Sequence, residues 1–215
     1  MNTAPAADAL PEIVTPPPGP ASRALLARLK AVESPGVTFV AADFPVVWHA
    51  ARGAAVVDVD GNRYLDGGGA FGVAFIGHGH PRVVAAVQQQ AATLLHGMGD
   101  VHPPAVRIAL LEALAALAPG DLGAGVLCSG GSEAVEVALK TALLATEKPG
   151  IIAFEGGYHG LATGALEVTH RPDFRAPFAK QLPGNTRFVK FPRPGQLSEQ
   201  GDPLVHTVLA QVDDL

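Results

Sequence analysis

The segment Cys128–Lys140, CSGGSEAVEVALK, decides how the chain is read. Gly130 and Gly131 allow backbone angles closed to other residues and let a ligand approach the main chain closely. From Ser132 onward the residues favour a helix, and Glu136 stands four positions before Lys140, a spacing that suits an ion pair on one helix face. The first turn of a helix carries N–H groups without intrahelical acceptors, and the aligned peptide dipoles add positive potential there. A small-residue loop opening such a helix is an anion site suited to phosphate, with the Ser132 hydroxyl as an extra donor. The same Ser-Gly-Gly-Ser also suits a plain turn and N-cap, and the local pattern does not choose between them. It is not a Walker loop, because no Gly-Lys-Ser/Thr follows.

Outward from this segment, strands and helices alternate. Gly125–Cys128 reads as a strand leading into the helix over 132–146, and Ile151–Phe154 as a second buried strand. Residues 186–191 suit a third strand, and residues 204–215 a further helix. Upstream, residues 104–118 and a segment starting at Pro81 have apolar residues at helical spacing. Before them, residues 46–50, 54–58 and 63–66 read as short strands, with Asp60-Gly61-Asn62 as a hairpin turn. A short helix over 22–33 precedes these, with Ser22 as its expected cap. The order predicts an α/β fold with a mostly parallel sheet flanked by helices, preceded by a small helix and β-meander. The expected organisation is a Pro-rich flexible arm over 1–20, an N-terminal segment over 21–76, and a larger domain over 77–215. The strand-to-helix position of Gly130 is the edge at which open α/β sheets bind ligands. Gly67–Gly72 satisfies GxGxxG, but no helix opens until Pro81, so a dinucleotide fingerprint is rejected.

Composition narrows the function classes. The 215 residues are 48% hydrophobic and 16% charged, which favours a buried core over disorder. A net charge of −5 without a basic cluster argues against nucleic acid as a partner. No apolar run approaches the ~20 residues that span a bilayer. The N-terminus lacks the basic-then-apolar order of a signal peptide, and the single cysteine, Cys128, excludes an internal disulfide. A cytoplasmic protein is expected. His78 and His80 flank Gly79 without a third ligand at suitable spacing, so no metal site is expected. Trp48 and Phe71 read as core or interface residues, and Lys140 as a solvated partner of Glu136.

Three stretches together resemble the class III (omega) aminotransferases, pyridoxal-phosphate enzymes of fold type I. AARGAAVVDVDGNRYLDGGGAFGVAFIGHGHPRVVAAVQQQ (50–90) resembles that family's leading meander, glycine run and "GH.HP" turn. CSGGSEAVEVALKTALLAT (128–146) resembles its "nSGsEAvE.AlKlAr..T" loop and helix. IIAFEGGYHGLATGALEVT (151–169) resembles its "YHG" strand and loop. Order and spacing agree from about Val46 to Phe191. The resemblance implies that Gly131 and Ser132 hold the cofactor phosphate through backbone N–H groups, with Gly130 where the family usually has serine and Ser129 where asparagine is frequent. It implies that Tyr158 lies flat on the pyridine ring, that His159 lines the same pocket, and that Gly160 leaves room for the backbone turn. It makes residues 77–81 a structural turn into a helix, and it brings Trp48 and Phe71 near the substrate. It further implies transfer of an amino group between an amine or amino acid and a keto acid or aldehyde, in a homodimer. An aminomutase would use the same parts.

That chemistry also needs a lysine that bonds the cofactor and moves a proton, and a carboxylate facing the ring nitrogen. In the family both follow the Tyr-His-Gly loop, in the second half of a chain about twice this length. Lys148, Lys180 and Lys190 do not sit in the family's lysine context, nor do Asp202, Asp213 and Asp214 match its aspartate. The chain therefore reads as the N-terminal half of an aminotransferase, inactive alone, with no catalytic residue of its own. The rival reading is a non-catalytic phosphate-binding or interaction subunit of a split enzyme. Either reading leaves apolar helix faces and a sheet edge uncovered, which predicts poor solubility or a need for a partner.

Overall fold

The computed structural model describes residues 5–6 and 9–191. The chain divides into two compact units, Met1–Pro104 and Ala105–Leu215. The expected helix over 204–215 lies outside the described residues.

In the first unit, helix α1 (Pro20–Val32) precedes an antiparallel meander of β1 (Trp48–Arg52), β2 (Ala55–Asp58) and β3 (Arg63–Leu65). Ala51 pairs with Val56, and Val56 with Tyr64. The β2–β3 turn falls where Asp60-Gly61-Asn62 places it, with Gly61 at φ +89°. Buried Asp58 holds this turn together: its carboxylate accepts from the Asp60 and Asn62 amides, from Asn62 Nδ2, and from the Tyr64 hydroxyl at 2.7 Å. Asn62 Oδ1 in turn accepts from the amides of Val14 and Thr15, and Arg63 and Glu12 exchange backbone hydrogen bonds. The core consists of Leu26, Ala55 and Val56 beside buried Ser22, Asp58 and Asn62.

Ser22 does not cap α1. Pro20 starts the helix earlier than expected, and Gly19 occupies the cap position with no side chain to offer. The acceptor comes from the hairpin instead: the Asp60 carboxylate takes the amides of Ala21 at 2.7 Å and Ser22 at 2.9 Å. Burial pushes the Asp60 carboxyl up, but hydrogen bonds from Ser22 and Ala21 and the nearby Arg23 hold it below its usual value.

After β3 the glycine-rich passage forms successive turns, with positive φ at Gly69, Ala70, Phe71 and Gly72. Its ends are fastened by Asp66, whose carboxylate accepts from the amides of Gly68 and Gly69 and meets His78 Nε2 at 2.8 Å. His78 also bridges the backbone of Gly53, and α2 (Pro81–Thr93) begins just beyond, with His80 as its N-cap. Trp48 lies edge-on to His78. Neither Trp48 nor Phe71 is a core residue: both are exposed, Phe71 fully, because its left-handed turn projects it from the chain.

In the second unit, α3 (Ala105–Leu117) is followed by an irregular segment. Residues 125–128 do not form the expected strand. No strand among the described residues pairs with them, and Val126 remains exposed. Helix α4 (Gly131–Thr146) leads to β4 (Ile151–Phe154), α5 (Thr163–Glu167), α6 (Pro172–Arg175) and β5 (Thr186–Val189). Strands β4 and β5 pair in parallel, Ile151 opposite Thr186, and a parallel pair requires the crossover that α5 and α6 provide. Ala153, Ala165, Leu166, Val168 and Val189 form the core, with buried Glu167 and Thr169. Glu167 accepts from the Thr186 amide at 3.1 Å and faces Arg175 at 3.7 Å, so α5, α6 and β5 are tied together.

Candidate functional site

Gly130 N-caps α4 with extended backbone, and Gly131 is the first helical residue. A β-carbon added at either glycine would meet nothing within 4 Å, so the mouth of the helix is open. The amides of Gly131, Ser132 and Glu133 have no intrahelical acceptor by helix geometry. Glu133 points its carboxylate back at the preceding turn, accepting from the Ser129 amide at 2.7 Å. The mouth therefore offers amide donors, an opening and the positive end of a sixteen-residue helix.

The Tyr158–Gly160 loop follows β4 and runs directly against this mouth. Ser132 Oγ accepts from the Ala162 amide at 3.0 Å. A β-carbon on Gly160, where φ is +126°, would lie 2.4 Å from Ser132 Oγ, so only glycine permits the approach. One acceptor lone pair of Ser132 is engaged and its O–H remains a donor. Behind the loop, buried Thr169 accepts from the His159 amide at 2.9 Å. Its hydroxyl reaches the carbonyls of Gly160 at 3.1 Å and Ala165 at 2.8 Å, donating to one of them at a time. Tyr158 presents an exposed ring, with Phe174 edge-on at 6.1 Å between centroids. Arg171 lies over Phe174 and is paired with Asp173, which raises the guanidinium pKa and lowers that of the carboxyl.

Of the residues singled out in the sequence, Gly130, Gly131, Ser132, Tyr158 and His159 all fall in the second unit, on two loops joined by the Ser132–Ala162 hydrogen bond. His78 and His80 belong to the first unit, and among the described residues no group of three His, Cys, Asp or Glu side chains is placed to hold a metal ion. Glu136 does not pair with Lys140: its Oε1 accepts from the Ala165 amide at 2.9 Å. The sequence clue was present, since Glu136 lies one turn beyond Ser132 on the same helix face. What the sequence did not reveal was that this face meets α5.

Comparison with known proteins places the chain. The sequence model described as aminotransferase class-III matches residues 39–214. The acetylornithine aminotransferase of Methanopyrus kandleri is 40% identical over 140 residues, covering 65% of this chain and 36% of that protein. The 4-aminobutyrate aminotransferase of Mycobacterium tuberculosis is 40% identical over 176 residues, covering 79% and 38% respectively. Among solved structures, a thermostable (S)-enantioselective omega-transaminase from Thermomicrobium roseum matches with a TM-score of 0.77 at 26% identity, covering 90% of this chain and 46% of that one. The chain thus spans less than half the length of the relatives it matches. No helix among the described residues is long and apolar enough to cross a membrane.

Proposed function

The chain belongs to the class-III aminotransferase family, and from that premise we propose that its second unit holds pyridoxal 5'-phosphate between the α4 mouth and the Tyr158–Gly160 loop. One observation carries the reading: Ser132, in the first turn of α4, is bonded directly to the chain emerging from the Tyr158 loop. The residues present fit the group. An open cradle of two glycines and amide donors at a helix N-terminus suits a phosphate dianion. An exposed phenol ring one short loop away suits a flat heteroaromatic.

In this reading the amides of Gly131 and Ser132 hold the phosphate, and the Ser132 hydroxyl donates to it. Gly130, the N-cap of α4, stands beside them without the hydroxyl of the serine that the family usually has there. Tyr158 sets the tilt of the ring, and His159 lines the pocket beside it. When bound, the cofactor supplies an aldehyde that takes up an amino group and a ring that accepts the electrons released at the donor carbon. The complete protein moves that group between an amine or amino acid and a keto acid or aldehyde, as a cytoplasmic homodimer. The lysine that bonds the cofactor is assigned to sequence other than these 215 residues, so this chain alone binds without turnover. The proposed organisation is an N-terminal arm over 1–20, a segment over 21–76 and a cofactor-binding part over 77–215, whose start lies before the division between the two compact units at Pro104.

Pyridoxamine 5'-phosphate tests this, because its amine cannot react with surface lysines. The wild-type chain is expected to bind it by fluorescence titration. Removing the Ser132 hydroxyl by Ser132→Ala should weaken binding about tenfold, the scale of one hydrogen bond to a charged group. Tyr158→Ala should weaken it about fivefold, the scale of one aromatic contact. A wild-type chain that does not bind sinks the reading.

A further inference from the structure

Helix α5 is five residues long, and its N-cap position is Ala162, whose methyl group cannot accept a hydrogen bond. Two amides at its start are satisfied from α4 instead. Ser132 Oγ takes the Ala162 amide at 3.0 Å, and Glu136 Oε1 takes the Ala165 amide at 2.9 Å. Ser132 and Glu136 are one helical turn apart and so project from the same face. The fit is close at both points: a β-carbon on Gly160 would lie 2.4 Å from Ser132 Oγ, and one on Gly164 would lie 2.8 Å from Glu136 Oε1. The carboxylate also faces the positive end of α5.

From Ala165 the connection continues to the ring loop. Buried Thr169 Oγ1 lies 2.8 Å from the Ala165 carbonyl and accepts from the His159 amide at 2.9 Å, next to Tyr158. Glu136 is thus two hydrogen bonds beyond its own contact from the loop that carries the phenol ring, while its helix begins at the phosphate loop. We infer that Glu136 is a positioning residue: by capping α5 from α4 it fixes where the Tyr158–His159 loop stands relative to the amides of Gly131 and Ser132. The inference rests on the cofactor reading above and adds to it a residue that does not touch the cofactor.

The two loops have separable ligands. Inorganic phosphate needs only the α4 mouth, whereas pyridoxamine 5'-phosphate needs both loops in register. In the full chain, Glu136→Ala is expected to raise the Kd for pyridoxamine 5'-phosphate about tenfold while leaving the Kd for inorganic phosphate within about twofold. Glu136→Gln, which keeps the accepting oxygen, should return pyridoxamine 5'-phosphate binding to within about threefold of wild type. Amide exchange at Ala165 and His159 should quicken in Glu136→Ala and not in Glu136→Gln. Unchanged pyridoxamine 5'-phosphate binding in Glu136→Ala overturns the inference, and so does parallel loss of both ligands, which would mean local collapse. A wild-type chain that binds phosphate but not pyridoxamine 5'-phosphate removes the cofactor reading itself, and the positioning role with it. Exchange at Ala165 then reports on the cap alone.

Discussion

Gly160 shows how much one residue can carry. Its φ of +126° and its approach to Ser132 both exclude a side chain. Gly160→Ala is expected to cost about 2 kcal/mol from backbone strain alone, read as a lower melting temperature, together with weaker pyridoxamine 5'-phosphate binding. An alanine variant as stable as wild type would mean that the two loops stand further apart. Tyr64 offers a second residue-scale test. Burial, then its hydrogen bond to Asp58, raises the phenol pKa from 10.0 to about 12. The raised value means that the stabilisation is fully present below pH 10 and is lost as pH rises through about 12. Of the two tyrosines, one should therefore ionise late in an ultraviolet titration, and Tyr64→Phe should abolish that late step. A late step that persists unchanged in Tyr64→Phe would remove the Asp58 contact. The glycines of the α4 loop were legible as candidates because their chemistry is local, whereas Tyr158 became one only through the family resemblance. Glu136 was not, because its partner lies 29 positions along the chain.

At the scale of elements, helical and strand periodicity located α1 to α4 and the five strands among the described residues to within a few residues, since a repeating apolar face is written in the sequence. The short helices α5 and α6 were not anticipated, and two expectations failed for a shared reason. The segment over 125–128 is apolar enough for a strand, but a strand exists only beside a neighbour, and none among the described residues pairs with it. The α1 cap was assigned to Ser22, the nearest suitable side chain, whereas Asp60 supplies it from a hairpin nearly forty residues away. Asp60→Ala should accordingly cost about 1–2 kcal/mol, the scale of a lost N-cap, while Ser22→Ala should loosen Val47, whose amide bonds to Ser22 Oγ. Both are measurable by denaturant unfolding. Asp60→Ala without effect would mean that the α1 amides are satisfied elsewhere.

For the whole molecule, periodicity tells which helix face is apolar but not what covers it. Helices α2 and α3 have no buried residue, and Val87, Ile108, Leu110 and Leu114 remain exposed. Exposed apolar area of this kind drives association. The 215-residue chain is expected to bind a hydrophobic dye and to self-associate with rising concentration in sedimentation experiments. Replacing Leu110 and Leu114 with glutamate should reduce both. A monodisperse chain that ignores the dye would contradict the exposure of these faces.

The shared face of α4 carries a further consequence. Because Ser132 and Glu136 reach two amides of a single short helix, their phase around the α4 axis is fixed. Deleting or inserting one residue between them would swing the second by about 100° and detach it from Ala165, even if every remaining side chain were conserved. The spacing of these two positions is thus under stricter constraint than the identity of the residues between them, and length variation in this region should be confined to either side of the pair.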